Sequence, residues 1–322
     1  MRDVLDGPAS NVEIALTAPM SAPATPSRHQ PVMTQEVVDA LNPRPGATIV
    51  DGTVGTGGHS ALILPRLLPS GTLIAIDRDE HALRTARTRL ADFIPNAAFI
   101  HENYRHLDAV LQRLGLSQVD GMLLDLGMSS VQVDEASRGF SFSKEGPLDM
   151  RMDAQQDLTA QTLIHRLSMD ELMTMLATLG EERFARRIAR HLIEARRAHP
   201  ITTTTQLAHL VTQAVPGKAR YGRLHPATRT FQALRMAVND ELGALETLLA
   251  GLAQVLRPGG RAVILTFHSL EDRLVKRAFA QGMRDGAWTL LTKKPLRPTP
   301  EEVSQNPRAR SAKLRAIERT AA

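Results

Sequence analysis

Short apolar runs alternate with helix-like segments along much of this chain, and this alternation restricts the fold more than any other feature. Parallel strands need crossover helices between them, so the alternation is typical of a parallel sheet. The sequence therefore predicts an α/β fold built on a Rossmann-like, doubly wound sheet. Five strands are predicted: Thr48–Asp51, Thr72–Asp77, Ala97–His101, Val119–Asp125 and Arg261–Phe267.

The segment between the fourth and fifth predicted strands is far longer than a crossover requires. About 130 residues intervene, and helical periods fill them, most clearly in Glu181–Arg197. Arg183, Arg187 and Arg190 share one face of that helix, which is either solvated or in contact with phosphates. We therefore expect a mostly helical inserted subdomain, whose arginine-bearing helix forms the far wall of a cleft above the sheet.

These patterns predict how the chain is divided. Residues 1–27 mix Ala, Pro, Ser and Thr without an apolar period, as disordered extensions do. Residues 28–133 and 223–322 are predicted to form the α/β domain, and residues 134–222 the insertion. Within the second part of the α/β domain, Pro226–Leu256 is predicted to be one long helix, and residues 289–322 a basic tail.

Composition excludes several classes of protein. Net charge is +5, and the tail carries the whole surplus, with eight basic and three acidic residues from Thr289 onward. Such a segment suggests a polyanionic partner, although a solvated tail is equally compatible with the charge. No run approaches the roughly 20 apolar residues of a membrane span, so a cytoplasmic protein with no membrane partner is expected. With no cysteine, the chain has neither a disulfide nor a thiolate nucleophile.

A glycine-rich loop follows the first predicted strand and leads directly into a helix. The loop runs from Asp51 to Ser60 with glycines at four positions, which let a backbone turn tightly beside a ligand. Asp77 ends the second strand, where an acidic side chain accepts hydrogen bonds from the hydroxyls of a ribose. No core role is evident for this carboxylate. The loop lacks the Gly-x-Gly-x-x-Gly register, which disfavours a nicotinamide-dependent oxidoreductase.

Seven motifs, in one order, resemble those of the ribosomal RNA small-subunit methyltransferase H family, also called MraW, from about His29 to Thr320. They are His29-Gln30-Pro31-Val32, Gly57-Gly58-His59-Ser60, Asp125-Leu126-Gly127-Met128-Ser129-Ser130-Val131-Gln132, Arg138-Gly139-Phe140-Ser141-Phe142 with Pro147-Leu148-Asp149-Met150-Arg151-Met152-Asp153, Phe231-Gln232-Ala233-Leu234-Arg235, Phe267-His268-Ser269-Leu270-Glu271-Asp272-Arg273, and Asn306-Pro307-Arg308-Ala309-Arg310-Ser311-Ala312-Lys313-Leu314-Arg315.

The resemblance implies a class I methyltransferase fold with S-adenosyl-L-methionine as cofactor. It implies N4-methylation of a cytidine in the decoding (P-site) region of 16S rRNA, within the small ribosomal subunit; a homodimer is left open. The family usually has Phe at the position of Tyr104, and both residues are aromatic. The cofactor-binding residues that the resemblance implies are Gly57, Gly58, His59, Asp77, Tyr104, Asp125 and Gln132.

The catalytic residue stays open at this point. The cytosine amine is a poor nucleophile, so the site must align it and accept hydrogen bonds from it. Ser129, Ser130 and Asp149 are the candidate acceptors, and a turn-forming role is the favoured alternative for each serine. Methylation of carbon 5 normally needs a thiolate, which the chain lacks.

The sequence also bears on a metal site and on an alternative function. No metal site is expected, because the histidines and carboxylates lie on separate strand ends without the usual ligand spacing. A non-catalytic RNA-binding or ribosome-assembly factor on the same fold is the alternative function. An intact glycine loop and an intact Asp77 disfavour it.

Overall fold

The structure, a computed structural model, describes residues 31–222 and 224–321. The predicted extension, residues 1–27, and His29 and Gln30 of the first motif lie outside the described residues. No helix in the described part of the chain combines the length and apolar character needed to cross a bilayer.

Seven strands form one sheet with the order β3-β2-β1-β4-β5-β7-β6. The first five strands are parallel, and β7 runs antiparallel to both of its neighbours. The α/β fold class predicted from the sequence is confirmed. The strands are β1 (Thr48–Asp51), β2 (Thr72–Asp77), β3 (Ala97–His101), β4 (Val119–Asp125), β5 (Leu256–Thr266), β6 (Trp288–Leu290) and β7 (Lys313–Arg319).

Helices cover both faces of the sheet and build the insertion. They are α1 (Thr34–Leu41), α2 (Ser60–Leu67), α3 (Glu80–Arg89), α4 (Leu107–Arg113), α5 (Ser130–Asp134), α6 (Ala160–Arg166), α7 (Met169–Leu179), α8 (Ala185–Ala198), α9 (Thr204–Ala214), α10 (Gly217–Arg220), α11 (Thr228–Asn239), α12 (Glu241–Val255), α13 (Ser269–Arg284) and α14 (Pro300–Gln305).

Buried side chains explain why the central strands form. A parallel sheet is covered on both faces, so its strands are apolar on both sides. On one face Val50 and Ile76 pack with α4, α12 and α13. On the other face Ile49 and Leu73 pack with α1, α2 and α3. The carboxyl ends of β1, β2 and β4 are thereby held at one rigid edge.

The insertion between β4 and β5 has an apolar core of its own. Ile164, Leu176, Ile188 and Leu207 bring together α6, α7, α8 and α9. Phe231 of α11 also lies in this core. Because α11 packs with the insertion, we propose that the insertion extends to the end of that helix, beyond the boundary expected at residue 222.

The prediction of one helix over Pro226–Leu256 is wrong. The helix is interrupted at Asp240, which adopts a left-handed conformation with φ 45°. Arg105 holds the break in place, because its Nη2 donates to the Asp240 carboxylate at 2.6 Å and to its carbonyl at 3.0 Å. The two halves pack in different cores, α11 in the insertion and α12 on the sheet. One straight helix could not pack in both cores.

The basic tail predicted from residue 289 onward is in large part folded into the sheet. Its residues form most of β6 and all of β7. Arg315 is buried, and its Nε donates to Asp272 Oδ1 at 2.8 Å, while Lys313 Nζ donates to Asp272 Oδ2 at 2.7 Å. Both cations are therefore paired with one carboxylate within the fold, which corrects the expectation that they face a polyanion.

Candidate active site

A cleft of about 430 Å³ opens where β1, β2 and β4 end. This edge of an open parallel sheet, where the strand order reverses between β1 and β4, is the usual place for a ligand. Most of the residues expected to bind the cofactor converge here, whereas Gly57 and Asp149 do not line the cleft. The predicted site residues among its lining are Gly58, His59, Asp77, Tyr104, Asp125, Ser129 and Gln132.

The glycine loop is anchored at both of its ends. Asp51 is buried, and its Oδ2 accepts a hydrogen bond from the hydroxyl of Ser60, the first residue of α2, at 2.6 Å. Gly57 has φ +79°, and a Cβ there would meet Ala86 and Leu90 at 3.4 Å. Gly57 thus lets the loop pack against α3, which places it behind the cleft instead of in its lining.

Asp77 holds the loop as well as facing the cleft. Its Oδ2 accepts from the backbone N–H of Gly55 at 2.8 Å, and its Oδ1 from that of Asp79 at 2.8 Å. Burial raises the pKa of Asp77 to about 6, while those two hydrogen bonds act in the opposite direction. The expectation that this carboxylate has no structural role is therefore wrong. Each carboxylate oxygen can accept further hydrogen bonds, so the ribose role stays open to it.

An aromatic wall closes one side of the cleft. Tyr104 begins the short turn after β3, where the Asn103 side chain accepts from the backbone N–H of Arg105 at 3.1 Å. The Tyr104 side chain is 8% exposed, and burial raises the pKa of its phenol. A neutral, buried ring offers a flat apolar surface, as an adenine would need.

Asp125 ends β4 beside a buried histidine. His59 Nδ1 lies 3.6 Å from Asp125 Oδ2, and its Nε2 lies 2.9 Å from the carbonyl of Val32. Asp125 Oδ1 accepts from the backbone N–H of Gly127 at 3.0 Å. Burial raises the pKa of Asp125, the histidine lowers it, and the negative charge of Glu271 raises it further. The pair gives the cleft a polar end that suits an amino-acid group.

Ser129 and Gln132 are occupied by helix capping. The Ser129 hydroxyl accepts from the backbone N–H of Gln132 at 3.3 Å, and the Gln132 side chain accepts in return from that of Ser129 at 3.1 Å. Gln132 Nε2 also donates to buried Asp79 at 3.1 Å. These contacts favour the turn-forming role for Ser129. Ser130 is the first residue of the same helix, α5.

Asp149 is committed to an ion pair away from the cleft. Its two oxygens accept from Nε and Nη2 of Arg151, both at 2.8 Å. Burial would raise the pKa of Asp149, but the hydrogen bonds and charge of Arg151 outweigh it and lower the pKa. The third catalytic candidate is thus not brought to the cofactor residues.

The structure adds three charged residues that the sequence did not single out for a role. Arg235, Glu241 and Glu271 line the cleft beyond the end of β5. Arg235 donates through Nε and Nη2 to the two oxygens of Glu241, at 2.8 and 2.7 Å. Arg235 and Glu271 lie within recognised motifs, and the pattern His-x-x-Glu after a strand indicates a capping carboxylate. Only their tertiary placement shows that they share the cleft.

The expectation that the arginine-bearing helix forms the far wall of the cleft is wrong. Among the described residues, no side chain of α8 lines the cleft. Met152 and Arg235 line the cleft, whereas the exposed Arg183, Arg187 and Arg190 do not.

One cluster has the composition of a metal site. Glu241, His268 and Glu271 each place one ligand atom within 4.8 Å of the others. The guanidinium of Arg235 already satisfies both oxygens of Glu241, which supplies the positive charge that a cation would bring. The donor set therefore fits a protein ion pair better than a metal.

The segment after α14 reaches the cleft as well. Asn306, Arg308 and Ser311 line it, and Arg308 Nη2 donates to Asp134 Oδ1 at 2.9 Å. This part of the predicted tail adjoins the cofactor residues, contrary to the expectation that it serves RNA alone.

The sequence of the chain is similar to those of known proteins. The sequence profile of the MraW methylase family matches residues 26–320. The chain is 49% identical over 304 residues to "Ribosomal RNA small subunit methyltransferase H" of Symbiobacterium thermophilum, covering 90% of this chain and 96% of the relative. It is 49% identical over 310 residues to the protein of the same name from Nitratidesulfovibrio vulgaris, covering 91% and 86%. A putative rRNA methylase of Clostridium thermocellum aligns over 89% of this chain and 95% of its own, with a TM-score of 0.44 and 11% identity. The chain belongs to the MraW methylase family.

Proposed function

We propose that this methyltransferase transfers a methyl group from S-adenosylmethionine to the exocyclic N4 of a cytidine in the decoding (P-site) region of 16S rRNA. The substrate proposed is the RNA within the small ribosomal subunit, and the reaction is placed in the cytoplasm. The relatives' names, which specify a ribosomal RNA small-subunit methyltransferase, support the RNA class.

The convergence of the predicted cofactor residues in one cleft carries the proposal. Carboxylates follow β2 and β4, a glycine loop follows β1, and a buried aromatic ring follows β3. S-adenosylmethionine, when bound, supplies a methyl group on a positively charged sulfur. Asp77 would hold the ribose, Tyr104 the adenine, and Asp125 with His59 the amino-acid end.

The chemistry of methyl transfer limits which atom of the nucleotide can accept the methyl group. Carbon 5 of a pyrimidine becomes nucleophilic when a thiolate adds to the ring, and the 322-residue chain contains no cysteine. A nitrogen or a ribose oxygen needs no covalent catalyst, only alignment and a hydrogen-bond acceptor. The resemblance selects N4 between these two.

Mass-spectrometric nucleoside mapping of 16S rRNA tests the proposal. RNA from cells lacking the protein should lose N4-methylation at one cytidine, and purified protein with labelled S-adenosylmethionine should restore it on isolated small subunits. Naked 16S rRNA, run in parallel, identifies the preferred substrate. A missing ribose methyl group, with N4-methylation unchanged, would overturn the choice of N4.

A further inference from the structure

The cleft contains a buried carboxylate that has no assigned role. Glu271 is the third residue of α13 and is only 3% exposed, yet it lines the cleft. Its Oε2 accepts from the backbone N–H of Phe267 at 2.8 Å and from that of His268 at 3.3 Å. Its Oε1 receives no hydrogen bond from the described residues. An oxygen in the cleft that accepts no hydrogen bond from the protein can accept one from a ligand group that donates.

The neighbouring histidine does not fill this gap. His268 Nε2 lies 2.9 Å from Glu271 Oε1, but the two are not aligned for a hydrogen bond, and Nε2 has no partner among the described residues. The Nδ1 of the ring faces the backbone N–H of Glu271 at 3.4 Å as its acceptor, which leaves the proton on Nε2. The Nε2–H group, 2.9 Å away, stabilises a negative charge on Oε1 without forming a hydrogen bond to it. Oε1 can therefore still accept a hydrogen bond from a ligand.

Glu271 lies near Asp125, where the loops after β4 and β5 meet. Its helix follows β5, which pairs directly with β4, and Asp125 lies opposite Leu265 in that pairing. A Cβ on Gly127 would lie 3.0 Å from the Phe267 ring, so the loops after the two strands touch. The charge of Glu271 also contributes to the raised pKa of Asp125. Glu271 therefore lies beside the polar end of the cofactor site.

The hydrogen bonds around Glu271 distinguish it from the other polar groups at this end of the cleft. Glu241 is paired with Arg235 through both oxygens, so it has no oxygen left without a strong donor. Ser129 and Asp149 are engaged in capping and in an ion pair. Glu271 is more deeply buried than Asp125 or Glu241, and its Oε1 accepts no hydrogen bond from the described residues.

We propose that Glu271 is a catalytic residue whose Oε1 accepts a hydrogen bond from the exocyclic amine of the target cytosine and then takes its proton. This inference rests on the proposed function. The cytosine amine is a donor, whereas uracil presents a carbonyl oxygen at the same position. A carboxylate there favours cytidine and repels uridine, so the same group selects the base and assists its reaction.

The step balances without another reactant. The amine lone pair forms the new N–C bond as the S–C bond breaks, and the sulfur keeps that electron pair and becomes neutral. The nitrogen then carries one proton too many, which passes to Glu271 Oε1 and later to solvent. Proton transfer to a positioned base typically contributes about 10²–10⁴-fold in rate.

The substitution Glu271→Gln tests this directly. The glutamine oxygen can still accept from the Phe267 and His268 N–H groups, while its amide offers a donor where the carboxylate offered an acceptor. We expect S-adenosylmethionine affinity to stay within about twofold by calorimetry and the single-turnover rate on small subunits to fall at least about 100-fold. Exposed Glu246 of α12 provides the control variant Glu246→Gln, which should behave as wild type.

Base preference supplies a readout that a structural role would not change. Small subunits carrying cytidine or uridine at the mapped position should bind the wild type with about tenfold preference for cytidine, and Glu271→Gln should lose that preference. The wild-type comparison needs no variant, so it decides the matter even if Glu271→Gln folds poorly.

Different results would contradict the role of Glu271 and the proposed function. N4-methylation by a Glu271→Gln protein at the wild-type rate, or equal wild-type binding of both bases, overturns the role of Glu271 while the proposed function stands. A wild-type protein that yields no N4-methylcytidine overturns the proposed function itself.

Discussion

The backbone N–H of Gly55 donates to Asp77 Oδ2 at 2.8 Å, which ties the glycine loop after β1 to the carboxylate at the end of β2. Because the same carboxylate is expected to hold the ribose, cofactor binding and loop order depend on one side chain. The backbone N–H of Asp79 binds the other oxygen, so the carboxylate is fixed in position before a ligand arrives. Such preorganisation lowers the entropy cost of binding.

Replacing Asp77 should separate these two functions. Asp77→Ala removes the acceptors of two backbone N–H groups and should lower the free energy of unfolding by about 1–3 kcal/mol. Asp77→Asn keeps one oxygen and the shape, so most of that stability should remain. Both variants should weaken S-adenosylmethionine binding by about 1.5–3 kcal/mol in calorimetry, since the charge-assisted hydrogen bonds are lost. Unchanged affinity in Asp77→Asn would remove the residue from the ribose site.

Cofactor affinity should depend on pH through the same residue. Burial raises the pKa of Asp77 to about 6 in the free protein. Ribose hydroxyls donate to the ionised form, so binding lowers that pKa and must displace a proton below pH 6. Affinity should therefore be constant above about pH 6 and weaken by up to tenfold per pH unit below it. Calorimetry at several pH values checks this, and Asp77→Asn should show a flatter profile.

Gly57 should matter to the site through backbone conformation. Gly57→Ala forces a side chain into a left-handed conformation at φ +79° and against Ala86, at a cost of about 1–2 kcal/mol. Gly115 has φ +69° with open space around it, far from the loop in sequence. Gly115→Ala should thus lose similar stability in denaturant unfolding but keep cofactor affinity, whereas Gly57→Ala should lose both. Equal affinities for the two variants would contradict a role of the loop in binding.

Exposed Arg183, just before α8, and Arg187 and Arg190 of that helix should contribute to RNA binding alone. Replacing Arg183, Arg187 and Arg190 with Gln should raise the dissociation constant for small subunits and leave S-adenosylmethionine affinity unchanged, because these exposed side chains do not line the cleft. Arg196 of the same helix donates to the carbonyls of Ile164 and Leu167, so Arg196→Gln should instead lower stability. If the triple variant binds small subunits as tightly as the wild type, these arginines contact solvent and not RNA.

The basic segment before β7 should produce salt-dependent binding. Lys293, Lys294 and Arg297 are exposed, unlike Arg315, which is buried beside Asp272. Each cation that contacts a phosphate contributes about 0.7 to the slope of log affinity against log salt for a single strand, so the triple Gln variant should lower the slope by up to about 2. Arg315→Met should leave the slope unchanged and lower the melting temperature, because Asp272 loses a partner. A constant slope in the triple variant would exclude this segment from the RNA interface.

A deletion of Asp157–Pro216 would not test the insertion without damaging the rest of the fold. Phe231 and Leu234 of α11 lie in the core of the insertion, so removing the helices around them would expose apolar surface. Surface substitutions on α8 test RNA recognition without that loss.

The sequence alone determined the parallel part of the sheet and identified most of the predicted cofactor residues that the cleft brings together. Strands β1 to β4 are mainly apolar runs bounded by local signals, so neighbouring residues suffice to identify them. Asp77 and Asp125 follow their strands directly, and parallel strands bring their carboxyl ends to one edge whatever lies between them. The resemblance then supplied Tyr104, which no spacing rule would have selected.

Tertiary structure decided what depends on contacts between distant segments. Strand β7 carries Lys313 and Arg315 and resembles a basic tail in sequence, but in the structure both cations pair with Asp272 of helix α13. Asp240 breaks a helical pattern because the two halves pack in different cores. Ser129 and Asp149 have the right chemistry for catalysis, but their hydrogen bonds go to Gln132 and Arg151. Glu271 acquires its open, buried oxygen only when β5 lies beside β4. Long-range pairing fixes which polar groups remain without partners, and a local pattern carries no information about such pairing.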